Sequence, residues 1–188
     1  MSTGAEEKLA LIFGRRSIRV YSPGEIAPET VTKLLEAAMA APSAMTKDPW
    51  HFIVVRKQHT LSLLAEILPG GKMLSTATLA IVVCGDLDAA FESQLSFMLQ
   101  DCSAAVENLL LAAHALGLGA CWVGVHPNEN AVRRLKDLLK LPSAVIAMAV
   151  ISLGLPGEDA GPRTRFNRDY VHFENWEDKT EGRSPKAS

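Results

Sequence analysis

Ala104-Ala105-Val106-Glu107-Asn108-Leu109-Leu110-Leu111-Ala112-Ala113-His114-Ala115-Leu116 runs directly into Gly117-Leu118-Gly119-Ala120-Cys121-Trp122-Val123-Gly124. Alanine and leucine, both strong helix formers, fill its first half, and apolar residues cover nearly the whole circumference. Such a helix crosses the middle of a structure rather than lying on its surface. Gly117 and Gly119 then end it, and Ala120 to Val123 reads as a short strand. A buried helix that feeds a strand points to mixed helix-and-sheet architecture. A helix apolar on all sides also needs more cover than one small domain supplies, which predicts a dimer with a large apolar interface.

Working outward, Ala80-Ile81-Val82-Val83-Cys84 is a strand without a polar face, as at a buried central position. His51 to Val55 and Val145 to Leu153 are two more strands. Helical spacing marks residues 5–13 through Leu9, Ile12 and Phe13. A second helix opens at Pro28-Glu29, presents Val31, Leu34, Leu35 and Ala38, and stops before Pro42. A third occupies about 58–67, and the long helical region is expected to extend from about 89 to 116. Asn128 is placed to cap a helix over 129–140. The expectation is a four-strand core packed with helices, one domain over residues 1–170, and a C-terminal extension or tail over 171–188. Residues 177–188 have the composition of a disordered tail.

The bulk numbers agree. The chain has 188 residues, 48% hydrophobic and 21% charged, with formal net charge −2. That suits one domain with a real core and gives no basic surface for nucleic acid. Cys84, Cys102 and Cys121 each lie in an apolar stretch, with no CxxC and no zinc-ligand spacing. Buried, reduced thiols in a cytoplasmic protein are expected. There is no signal-peptide pattern, and no apolar run reaches the roughly 20 residues of a membrane span.

Four segments can carry chemistry. Arg15, Arg16, Ser17 and Arg19 offer three guanidinium groups and a hydroxyl, a donor set matched to phosphate, although arginines after a helix also simply complement its dipole. Arg163 and Arg165 follow a Gly/Pro loop and, with the first cluster, can converge on one phosphate from opposite ends of the chain. The loop Pro42-Ser43-Ala44-Met45-Thr46-Lys47-Asp48-Pro49 is stiffened by prolines and carries donors at Ser43 and Thr46. Gly117 to Gly124 either lets backbone approach a flat ligand or is only a helix cap and a buried strand. GxSxG, Walker A, GxGxxG and HExxH are all absent. The histidines are scattered, and His114 reads as a core or interface residue. A chain without an evident nucleophile or metal set relies on an organic cofactor if it is an enzyme.

In this order, the segments resemble the flavin-dependent nitroreductase family. The likeness rests on Arg15-Arg16-Ser17-Ile18-Arg19-x-Tyr21, Ala41-Pro42-Ser43 through Pro49-Trp50 and the following strand, Gly117 to Gly124, and Pro162-Arg163-Thr164-Arg165. It spans roughly residues 8 to 170. It implies an α+β fold, a three-layer α/β sandwich with a mixed, mainly antiparallel central sheet flanked by helices, in an intertwined homodimer with FMN at the interface. It implies that Arg15, Arg16, Ser17, Arg19, Arg163 and Arg165 hold the FMN phosphate and ribityl chain. Pro42, Ser43, Ala44 and Thr46 then reach the flavin from the second subunit. Lys72 stands near ring atoms N1 and O2, and Trp122, Val123, Gly124 and Val125 line one face with an N–H near N5. Thr46, Asp48 and Pro69 depart from residues common in the family. NADH or NADPH is the implied reductant, a nitroaromatic, quinone or similar electron-poor small molecule the acceptor, and ping-pong hydride transfer the mechanism. The flavin, rather than a catalytic side chain or metal, carries the chemistry. Alternatives on the same scaffold are a dehalogenase, a flavin-cleaving enzyme, an azoline oxidase, or a flavin-binding protein without turnover.

Overall fold

The apolar runs become the middle of a sheet. A computed structural model describes residues 4–179. Among them the order is α1 (Gly4–Gly14), β1 (Tyr21–Ser22), α2 (Pro28–Met39), β2 (Trp50–Val55), α3 (Gln58–Ile67), β3 (Leu79–Asp86), α4 (Leu95–Ala115), β4 (Gly119–Gly124), α5 (Glu129–Leu139) and β5 (Val145–Pro156). β3 pairs with β2 on one side and β5 on the other. β4 lies along the other edge of β5 at residues 149–154, and β5 outruns β3, leaving residues 155–156 to pair with β1. All these pairings are antiparallel; the parallel element is a single bridge between Ser17 and Ala120.

Side chains alternate across the sheet and build two cores. Leu79, Ile81, Val83, Ile151 and Leu153 face α2 and α4. Ala80, Val82, Val123, Val125 and Val150 face α3 and α5. The result is the expected three-layer α+β sandwich, with five strands among the described residues rather than four. Two-residue β1 has no periodicity to read; it exists because Tyr21 and Ser22 lie against the overhanging end of β5.

The local signals largely hold. Pro28 opens α2 and Glu29 sits in its first turn, and the Asn128 side chain accepts the Ala131 N–H at 3.1 Å to cap α5. The expected helix start near residue 89 is corrected. α4 begins at Leu95, because Glu92 and Ser93 hold left-handed backbone (φ 52° and 50°) and form a separate turn at Phe91–Ser93. His114 is exposed rather than buried in the core.

α1 is apolar yet buries no residue. Leu9, Ile12 and Phe13 stay about half exposed. Beyond β5 the chain has no further strand among the described residues, and Phe166, Tyr170 and Trp176 are exposed. Residues 180–188, the greater part of the expected tail, lie outside the described residues. Among the described residues no helix is long and apolar enough to cross a membrane.

Candidate functional site

The Arg15–Arg19 segment docks along the outer edge of β4. Ile18 N–H donates to the Ala120 carbonyl at 2.9 Å, beside the Ser17–Ala120 bridge. Gly119 permits this approach, since a Cβ there would stand 2.8 Å from Ile18 Cγ2. The Tyr21 hydroxyl lies 2.9 Å from the Ile18 carbonyl, to which it donates, and 2.6 Å from Ser152 Oγ. Ser152 is fully buried and also reaches the Cys121 carbonyl at 3.4 Å. One hydroxyl pair thus ties the arginine segment to two strands, and burial pushes the Tyr21 phenol above its ordinary value.

The other end of the chain comes to the same place. Gly157 N–H donates to Val20 O at 2.8 Å, and Arg163 N–H to Phe13 O at 3.3 Å. Arg16 Nη1 donates to Gly161 O at 2.7 Å. Glu158 Oε1 accepts the N–H groups of Arg19 and Val20 at 2.5 and 3.1 Å, which hold its carboxyl below the usual range. Arg15 Nε stands 3.3 Å from Glu107 Oε1 on α4. Arg15, Arg16, Ser17, Arg19 and Arg163 therefore share one region, and Arg165 lies two residues further along an exposed stretch. Cys121 sits behind it, its thiol raised chiefly by burial against opposing contributions from Arg19, Ser17 and Arg15. Cys84 and Cys102, both buried, are pushed up to about 12 by the same desolvation.

β4 offers an open edge next to these arginines. Ala120 O points away from β5 toward Ile18. By strand alternation the backbone groups of Trp122 and Gly124 point the same way, while Val125 N–H turns back to Met148 O at 3.0 Å. A Cβ on Gly124 would meet nothing within 4 Å. The two glycines of this stretch thus differ in use: Gly119 makes room for the chain's own Ile18, and Gly124 borders open space.

The Pro42–Thr46 loop belongs to a different part of the same protomer. Ala44 N–H donates to Asp101 Oδ1 at 2.9 Å. Asp101 and Glu107 are six residues apart on α4, about 9 Å along the axis and roughly 120° around it. Loop and arginines thus approach α4 of one protomer at different heights and from different faces. Met45, Thr46 and Asp48 have φ of 51°, 53° and 48°, left-handed conformations costing roughly 1–2 kcal/mol each for residues with a Cβ. Lys72 is exposed at the start of the Lys72–Thr76 turn, whose Leu74 packs into the α3/α5 core.

A cavity of about 1140 Å³ opens where the two chain ends meet, between α1 and the 156–162 segment: Leu9, Phe13, Arg16, His114 and Leu118 border it together with residues 156–162. Of the expected site residues it includes Arg16 alone.

Three residues were not singled out from sequence. Asp101 had a signal: it falls on the stripe Met98, Cys102, Ala105 and Leu109 that α4 buries. Tyr21 lay inside a quoted motif without a role. Glu158, in a Gly/Pro loop, had no local signal.

The model of the nitroreductase family matches residues 12–69 and 68–155. A protein of Archaeoglobus fulgidus, provisionally named an NADH dehydrogenase/NAD(P)H nitroreductase, is 45% identical over 174 residues, covering 91% of this chain and 99% of its own. The crystal structure of a Parabacteroides distasonis protein with the same provisional name superposes with a TM-score of 0.85 at 37% identity, covering 90% of this chain and 99% of that one. An FMN-dependent nitroreductase from Clostridium difficile gives a TM-score of 0.81 at 32% identity, covering 89% and 99%.

Proposed function

The chain belongs to the nitroreductase family, and from that premise we propose an FMN-dependent oxidoreductase, fed by NADH or NADPH, that reduces electron-poor small molecules such as nitroaromatics or quinones. It works as a cytoplasmic homodimer with two flavin sites at the subunit seam. The observation that carries this is the meeting of the two chain ends, Arg15–Arg19 and residues 157–163, beside the open edge of β4.

The donor set fits FMN. Three arginines and a serine within five residues, joined by Arg163, supply the charge-assisted donors that a phosphate dianion needs. The outward backbone of Trp122 and Gly124 supplies donors and a flat approach for a planar ring. When bound, the flavin accepts hydride from the nicotinamide and passes reducing equivalents to the acceptor. The chain's own task is positioning. Arg15, Arg16, Ser17, Arg19, Arg163 and Arg165 anchor the phosphate end. Trp122 to Val125 orient the ring, Lys72 supplies a cation for the electron-rich edge of the reduced ring, and Pro42, Ser43, Ala44 and Thr46 come from the second subunit.

The dimer follows from what one copy leaves undone. α1 exposes Leu9, Ile12 and Phe13, Leu116 stands exposed at the C-cap of α4, and the C-terminal segment exposes three aromatics. Apolar surface on this scale marks an interface, and in this reading a second copy brings its loop to the arginine elements.

Anaerobic stopped-flow tests the activity. FMN-loaded protein mixed with millimolar NADH or NADPH is expected to lose its blue absorbance band, and added quinone to restore it. A flavin that stays oxidised with both nucleotides removes the proposed activity and leaves a flavin-binding protein.

A further inference from the structure

Met45, Thr46 and Asp48 hold left-handed backbone without being glycine, so their loop must be held by its surroundings. Inside the loop, Ser43 Oγ donates to Asp48 Oδ1 at 2.5 Å and accepts the Asp48 N–H at 3.1 Å. These bonds close the loop on itself without fixing it to the fold. The link to the helix layer is Ala44 N–H to Asp101 Oδ1 at 2.9 Å. Asp101 is 5% exposed, and its other oxygen, Oδ2, is buried without a hydrogen-bond partner among the described residues. Burying a carboxylate with one oxygen unmatched is costly. A neutral amide would also accept the Ala44 N–H; the charge adds strength, since such bonds are roughly twice as strong as neutral ones.

We propose that Asp101 is a positioning residue: its buried carboxylate clamps Ala44 and so keeps Met45, Thr46 and Asp48 in the left-handed conformations that shape the loop presenting Pro42, Ser43, Ala44 and Thr46 to the neighbouring active site. The effect on turnover rests on the proposed flavin site; the clamp itself does not. Removing the acceptor leaves the half-buried Ala44 N–H unpaired and lets the strained residues relax toward extended backbone. The loop then no longer shapes the side of the flavin site where the acceptor stacks, and apparent acceptor affinity falls more than the chemical step.

The test compares D101N, D101L and D101L/M45N, with D101A standing in if D101L does not fold. Asparagine keeps an acceptor for Ala44, leucine removes it, and asparagine at 45 tolerates the left-handed region. With a simple quinone as acceptor, D101L is expected to raise KM about tenfold, the loss of one part-buried, charge-assisted hydrogen bond, with kcat within about threefold. D101N stays within about threefold of the parent, since it retains the Ala44 bond, and D101L/M45N recovers much of the loss. A packing defect alone would not be repaired by a change at exposed Met45. An unchanged KM in D101L, a D101N as poor as D101L, or no recovery on adding M45N overturns the proposal. NMR supplies a readout free of flavin: the Cα and Cβ shifts of Met45 and Thr46 should leave the left-handed range in D101L and keep it in D101N. Unmoved shifts in D101L overturn the clamp. Failure of the parent to bind or reduce flavin refutes the proposed function and leaves the NMR comparison to decide on Asp101.

Discussion

Replacing Tyr21 by Phe removes one oxygen that holds the arginine segment to the sheet. The Tyr21 hydroxyl contacts Ile18 O at 2.9 Å and Ser152 Oγ at 2.6 Å. Each hydrogen bond contributes about 1 kcal/mol net, and stranding a buried partner adds to the loss. Ser152 keeps its longer contact to Cys121 O at 3.4 Å, so the penalty is near the lower end, about 2–3 kcal/mol. For a chain of this size that lowers Tm by roughly 5–10 °C. Urea unfolding at fixed protein concentration, with FMN omitted, measures it, and a Tyr21→Phe/Ser152→Ala cycle should return a coupling of about 1 kcal/mol. The pH profile carries a second signature. Burial raises the folded-state phenol above its ordinary 10.0, so its contribution is complete below that pH and is lost as pH climbs toward the folded value. Tyr21→Phe should therefore cost most near neutrality and lose less stability than the parent at strongly alkaline pH. A change under about 0.5 kcal/mol, no more than a typical surface substitution gives, would refute the assignment of this hydroxyl as the staple.

Three further outcomes are expected. Arg15→Ala combined with Arg19→Ala should give colourless protein with native circular dichroism, and retained FMN at full occupancy would contradict the phosphate assignment. Cys84, Cys102 and Cys121 are free and buried, so a thiol reagent at pH 8 should find no rapid thiol in the native protein and three after guanidinium unfolding; fast native labelling would count against their burial. Glu158 has a depressed carboxyl, so its stabilisation is present above the ordinary value of 4.5 and fades as pH falls through the lower folded value. The Tm gap between the parent and Glu158→Gln should accordingly narrow as the solution is acidified from pH 6, and a gap that widens would reverse the sign of the argument.

The fold was legible where burial and periodicity coincide. Ala80 to Cys84 and Val145 to Leu153 are apolar because β3 and β5 are covered on both faces, and Pro28 at the start of α2 and the Asn128 cap of α5 are local signals that sequence displays. β1 was not legible, because Tyr21 pairs only with residues at the far end of the chain. The start of α4 was missed because left-handed backbone at Glu92 and Ser93 has no glycine or proline to announce it. His114 lies in an apolar run, yet it faces Gly14 and the cavity beside α1, which depends on where α1 packs. At the candidate site, the expectation drawn from charge and from the family resemblance was that Arg15–Arg19 meet Arg163 and Arg165; the structure ties Arg163 N–H to Phe13 O and Arg16 Nη1 to Gly161 O, while Arg165 lies on an exposed stretch. The Pro42–Thr46 loop is held instead against Asp101 of α4, and Lys72 lies exposed at the start of its own turn.

Native mass spectrometry of the protein titrated with FMN weighs the central idea most directly, since it reports subunit number and ligand number together. Two chains carrying two FMN molecules, with single chains carrying none, is the predicted spectrum. A lone chain that binds FMN stoichiometrically, or a dimer that never takes it up, would contradict a flavin site shared between two copies.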